Sequence, residues 1–286
     1  MLRFRVLLLS VLLLPPAGLA SDRLLIFASV VPIKTFVERI GGAQVEVRAM
    51  VQPGQSPATY DPTPRQVADL ARADLYVRVG VPFEKAWMER IRSANPRVPV
   101  LDARDGVELR KHEAGDDDHD HDRDALDPHV WTSPLSVKVI AANIRDALIE
   151  IDPVHRADYE ANHATFDAEL DALDAEIRGL LADLPVRRFL VYHPAWGYFA
   201  STYDLTQVAI EREGKEPGAR ALASLIDQAR REEARVIFVQ PQFNRRSAEQ
   251  VARAIGGRVE AIDPLAADYV DNLRRVARLI AEANRL

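Results

Sequence analysis

Three residues of metal-ligating type stand at comparable places along the chain. His129 lies in Asp127-Pro128-His129-Val130-Trp131, His193 follows an apolar run ending at Tyr192, and Asp263 follows another ending at Ile262. Imidazole nitrogens and a carboxylate oxygen are the donors that a tetrahedral zinc site takes, at about 2.0–2.2 Å. Each residue alone also fits a plainer role. A His after a strand is commonly a hydrogen-bonding loop residue, and an Asp before Pro is commonly a turn or cap. A second set lies in residues 112–124, HEAGDDDHDHDRD, where His112, His119 and His121 sit among seven acidic residues. So many like charges repel and keep a segment extended in water. Three of the chain's seven histidines in one such stretch favour weak, multidentate metal capture over plain solvation. His155 and His163 fall among charged neighbours on helical stretches and read as surface residues.

The elements that would carry these residues alternate. Leu24–Val31, Val45–Val51, Leu75–Val79 and Val98–Leu101 read as strands from their branched apolar runs or their alternation. Helical spacing appears between them at 35–40, 64–73 and 83–93. Such alternation predicts an α/β lobe with a mainly parallel sheet. Ser133 to Ile151 is helical. After Pro153, Ala157 to Leu184 runs without proline, with Phe166, Leu170, Leu173, Ile177 and Leu180 at three- and four-residue steps. A helix of about 28 residues would span about 42 Å, long enough for a strut between two lobes. Strands at 189–192, 206–210, 236–239 and 258–262 and helices at 219–233, 247–255 and 268–284 predict a second α/β lobe. In such sheets ligands bind outside the carboxyl ends of the strands, where His193 and Asp263 fall. The expected division is 21–155 for the first lobe, with the His/Asp loop at 111–124, then 156–185 for the linking helix and 186–286 for the second lobe.

Residues 1–20 differ from the rest. Arg3 and Arg5 precede the apolar run Val6–Leu14, and Gly18-Leu19-Ala20 carries small residues at the −3 and −1 positions. That is the layout of a cleavable secretory signal, with an apolar run too short to span a bilayer. Cleavage is expected after Ala20, leaving 35 Lys+Arg against 43 Asp+Glu, a net charge of −8. An acidic protein is a poor partner for nucleic acid or an anionic membrane. There is no cysteine, hence no disulfide and no thiol for a lipid anchor. A soluble, periplasmic protein held by packing alone is the expectation.

Together these segments resemble the zinc and manganese solute-binding proteins of bacterial ABC importers, which include adhesin-like lipoproteins. The resemblance runs through Ser29-Val30-Val31-Pro32, Gln52-Pro53-Gly54-Gln55-Ser56-Pro57, Tyr60-Asp61-Pro62, Ala73-Asp74-Leu75, Asp127–Trp131, His193-Pro194-Ala195-Trp196-Gly197-Tyr198-Phe199 and Asp263-Pro264-Leu265. It implies two lobes joined by a rigid backbone helix, with the ion bound in the cleft between them. It implies a loaded form delivered to an inner-membrane permease, a monomer, and no catalysis. His129, His193 and Asp263 match three of the family's four ligands. The fourth, a His, is replaced here by Ala58, whose methyl group cannot ligate. Three readings of the gap follow: water at the vacant position, His119 or His121 recruited from the loop, or a weaker or different metal. Water is preferred, with the loop as a secondary helper, because ordering a flexible segment costs more entropy. Two imidazoles favour zinc over manganese. Affinity should fall as the imidazoles protonate. Two rival readings remain: an adhesin-like metal-binding protein without a transport role, and a zinc hydrolase with Glu211 or Glu213 as general base.

Overall fold

The computed structural model describes residues 23–111, 126–211, 219–231, 234–243 and 245–285. The expected export segment 1–20, Glu213, and the loop histidines His112, His119 and His121 lie outside the described residues. In the first lobe β1 (Leu24–Ala28), β2 (Val45–Ala49), β3 (Leu75–Arg78) and β4 (Val100–Asp102) form one parallel sheet in the order β2-β1-β3-β4. Helices α1 (Val31–Gly41), α2 (Pro64–Leu70) and α3 (Pro82–Ala94) make the crossovers. Each opens with a proline in its first turn, where the missing N–H costs nothing. Thr63 adds a capping box with Gln66 at the start of α2. Lys111 and Leu126 pair antiparallel in an isolated bridge, across the stretch that holds the His/Asp segment.

Two helices then run between the sheets, α4 (Pro134–Ile151) and α5 (Arg156–Leu181). The second lobe repeats the first: β5 (Arg188–Val191), β6 (Thr206–Ala209), β7 (Val236–Val239) and β8 (Arg258–Ala261) form a parallel sheet in the order β6-β5-β7-β8. Helices α6 (Gly197–Thr202), α7 (Ala219–Arg231), α8 (Arg245–Ile255) and α9 (Tyr269–Ala283) complete it. Among the described residues no helix is long and apolar enough to cross a membrane.

The long helix is shorter than its sequence predicts, 26 residues ending at Leu181 instead of Leu184. Pro185 disfavours helical geometry in the residue before it. The last carbonyls are satisfied from outside instead: the Arg187 guanidinium donates to the carbonyls of Leu181 at 3.1 Å and Ala182 at 3.4 Å. Phe166, Leu170, Leu173 and Ile177 of its apolar stripe are buried as expected, while Leu180 is only partly buried. It packs on α1 and α4 of the first lobe and on α9 of the second. Phe36 of α1 meets Phe166 and, edge-on at 4.8 Å, Tyr269 of α9. One apolar core therefore runs from the first sheet through α5 to the inner face of the second, where Phe189, Val191 and Phe238 point. Alternate residues of the same strands, Leu190, Tyr192, Ile237 and Val239, point the other way into a smaller core with Ile210 and Val251. His163 departs from expectation. It is half-buried beside Arg145 of α4, and its Nε2 is shielded from solvent without a hydrogen-bond partner.

Candidate metal centre

Strand register builds the second-lobe half of the site. β5 and β6 pair with an offset of 18 residues, Val191 opposite Ala209. The ladder continues beyond the strands, with Ile210 N–H donating to the Val191 carbonyl and Glu211 N–H to the Tyr192 carbonyl. The same offset sets Glu211 beside His193, and its Oε2 lies 2.6 Å from His193 Nδ1. On the other flank β7 pairs with β5, Val191 opposite Phe238, so Gln240 faces His193. Gln240 is fully buried. Its Oε1 accepts the His193 N–H at 3.2 Å and its Nε2 donates to the His193 carbonyl at 2.7 Å. Phe243 stacks on the imidazole, 4.9 Å between centroids at 26°. The ring is thus fixed on its backbone, on one edge and on one face.

His129 is held in the same way by a shorter device. Asp127, 4% exposed, accepts the His129 N–H at 2.9 Å and its Nδ1 at 2.7 Å through one oxygen, Oδ1. An ionised carboxylate only accepts, so Nδ1 of each imidazole carries the proton and Nε2 is the lone-pair atom. Carboxylates in that position fix the tautomer and ring orientation of metal-ligating histidines. Asp127 is itself packed across the lobe junction. A side chain on Gly197 would come within 2.9 Å of its Oδ2 and 3.1 Å of Gln207 Nε2, so only glycine leaves the carboxylate its place.

The two imidazoles meet, one from each side of the junction, with centroids 5.3 Å apart and planes at 76°. Burial is the largest influence on His193 and pulls its pKa below the ordinary imidazole value. The Glu211 hydrogen bond opposes that shift and the nearby His129 ring reinforces it. The net result favours the neutral ring, the form that binds metals. Asp263 follows β8 at the same end of the second sheet. Its Oδ1 accepts from Leu265 N–H at 2.9 Å and from Gln242 Nε2 at 3.0 Å. Among the described residues no three His, Asp or Glu side chains converge closely enough to share an ion. The structure therefore joins His129 to His193 and leaves Asp263 engaged with Leu265 of its own turn and with Gln242 of the turn after β7. Ala58 is exposed and offers no donor side chain.

Asp127, Gln240 and Phe243 escape the sequence reading as supports of the site, and Glu211 enters it only as the general base of a rival hydrolase. The last reads as a surface charge near a turn, but it is 2% exposed and serves His193. The signal was present in the chain, since Glu211 stands two residues past its strand just as His193 stands two residues past the neighbouring one.

Known proteins resemble the chain along most of its length. Residues 26–283 match the family model described as "Zinc-uptake complex component A periplasmic". The chain is 27% identical over 254 residues to the high-affinity zinc uptake system protein ZnuA of Bacillus subtilis, covering 86% of this chain and 79% of that one. It is 25% identical over 265 residues to the zinc-binding protein AdcA of Streptococcus pyogenes, covering 86% of this chain. Only 51% of that streptococcal protein is spanned. A crystal structure of a ZnuA superposes with a TM-score of 0.87 at 42% identity, covering 92% of this chain and all of that one.

Proposed function

The chain belongs to the family of periplasmic zinc-uptake complex components, and from that premise we propose that it captures Zn2+ outside the cytoplasm and surrenders it to an ABC importer in the inner membrane. The observation that carries this reading is the pair of imidazoles from opposite sides of the lobe junction, each with its Nδ1 held by a buried carboxylate. His129 and His193 would bind the ion through Nε2, with Asp263 as the third protein ligand and water in place of the side chain that Ala58 lacks. Zinc accepts such a mixed set, and two nitrogen donors favour it over manganese. The division at 21–155, 156–185 and 186–286, the monomeric state and export through residues 1–20 belong to the same reading, as does a secondary role for His112, His119 and His121.

We read the protein as a carrier and not a hydrolase. The hydrolase reading of this sequence needs a glutamate free to take a proton from zinc-bound water. Of the two sequence candidates, Glu211 is buried and already engaged by His193, and Glu213 lies outside the described residues.

The test is calorimetric titration of Zn2+ into metal-stripped protein, beside His129→Ala/His193→Ala and a deletion of 112–124. One tight site that disappears in the double variant and survives the deletion is the expected result. Binding that survives the double variant and vanishes with the deletion would make the protein a loop-based metal buffer.

A further inference from the structure

The turn after β7, Gln240 to Phe243, touches both second-lobe ligand candidates with three different side chains. Gln240 clamps the His193 backbone and Phe243 covers its ring. Gln242 reaches Asp263, donating from Nε2 to Oδ1 at 3.0 Å. That same oxygen accepts the Leu265 N–H at 2.9 Å, closing a two-residue turn over Pro264. The Asp263 backbone is pinned separately, its carbonyl accepting from the buried Asn272 amide at 2.7 Å. Each carboxylate oxygen offers two lone-pair positions. At Oδ1 both are taken, while Oδ2 accepts no hydrogen bond from the described residues.

We propose that Gln242 is a specificity-determining residue: by occupying Asp263 Oδ1 it restricts the carboxylate to one-oxygen binding through Oδ2 and so selects a small four-coordinate ion over ions that take more oxygen ligands. The proposal rests on the reading of Asp263 as a ligand and adds to it the way that ligand is used. A tetrahedral zinc site takes a single carboxylate oxygen at about 2.0–2.2 Å. Manganese and calcium favour six or more oxygen-rich contacts and readily use both oxygens of a carboxylate. Chelation by both oxygens of Asp263 would have to break the Gln242 bond. The Leu265 N–H belongs to the backbone and stays whatever the side chains are. Gln242 is therefore the one donor at Oδ1 that a single substitution removes.

The experiment compares the parent protein, Gln242→Met, Gln242→Leu and Asp263→Ala, all metal-stripped. Zn2+ and Mn2+ affinities are measured by competition with a chromogenic chelator, and the visible spectrum is recorded after loading with Co2+. Removing the donor should narrow the preference for zinc over manganese about tenfold, the low end of what second-shell partners contribute to metal affinity. The intense visible bands of four-coordinate Co2+ should weaken as the second oxygen enters its shell, a change that mere loosening of the turn would not produce. Both Gln242 variants are needed, since Met keeps the length of the side chain and Leu shortens it. A zinc-to-manganese ratio and Co2+ spectrum unchanged in both, with zinc binding weakened in Asp263→Ala, overturns the proposal and leaves the ligand assignment standing. Parent-like zinc binding by Asp263→Ala removes Asp263 from the ligand set and the proposal with it.

Discussion

Each imidazole at the lobe junction has its own carboxylate, and the two are supplied differently: Asp127 from two residues upstream, Glu211 from a neighbouring strand. The second arrangement is the more exposed to substitution, because nothing but register brings it about. Glu211→Gln keeps the size of the side chain but removes its charge. It should weaken zinc binding by about tenfold or more, measured by chelator competition, while the circular dichroism of the metal-free protein stays unchanged. At this scale the chain is partly legible. His129 and His193 stand out by type and by place after or near a strand. Asp127 is visible only once His129 is suspected. Glu211 is legible by its place past a strand, but its partner is not, because a glutamate there looks like any solvated charge until the pairing of β5 with β6 is known. The replacement at Ala58 is plain from resemblance alone, since a loop alanine carries no chemical signal.

Among the elements, α5 is the one both lobes lean on, with its apolar stripe turned inward and ion pairs at its rim, from Arg39 to Glu169 and from Arg274 to Glu176. Exposed pairs of this kind are worth little, about 0–1 kcal/mol each, so the stripe carries the stability. Leu170 is fully buried, and Leu170→Ala should cost about 2–5 kcal/mol in denaturant unfolding, with both lobes melting in one transition. The face towards α4 adds a pH dependence. Burial, and after it the Arg145 guanidinium, hold the His163 pKa below the ordinary imidazole value. Asp167 and Asp146 partly offset this, and Lys138 adds to it. Stability linked to a depressed His is fully present above about 6.5, the unfolded value, and is lost as pH falls through the lower folded value. The midpoint of thermal unfolding of metal-free protein should therefore drop on acidification below that range, and His163→Leu should drop less. The helix itself was readable from its three- and four-residue steps. Its last turn was not, because the stop depends on Pro185 and on carbonyls that Arg187 caps from outside the helix. The place of His163 was misread because a His flanked by charges shows nothing of the helix packed across from it.

For the molecule as a whole, both sheets share one strand order, and the alternation of strands and helices made that doubling legible in advance. The way the halves are fastened was not, because every fastener joins residues far apart in the chain. Trp131 Nε1 donates to the Pro264 carbonyl at 2.7 Å, and Tyr198 donates to the Asp127 carbonyl at 3.2 Å while accepting the Arg110 N–H at 2.9 Å. Thr202 and Ser133 share a hydroxyl contact at 2.8 Å, and Thr35 donates to the Ala267 carbonyl at 3.1 Å. With a continuous core beneath these bonds, zinc loading should leave the radius of gyration from small-angle X-ray scattering unchanged within error.

Fastened in this way, the two lobes should shift little against each other between the free and the zinc-loaded protein. Apparent affinity is the intrinsic affinity scaled by the fraction of molecules able to bind, so capture that needs no lobe closure would bear no penalty for it. The same rigidity would close the usual route to letting go, through an opened cleft. On the proposed reading, unloading would then be imposed from outside, by a receiver that competes for a ligand or distorts the junction, and the off-rate of the isolated protein would be no guide to the rate of delivery.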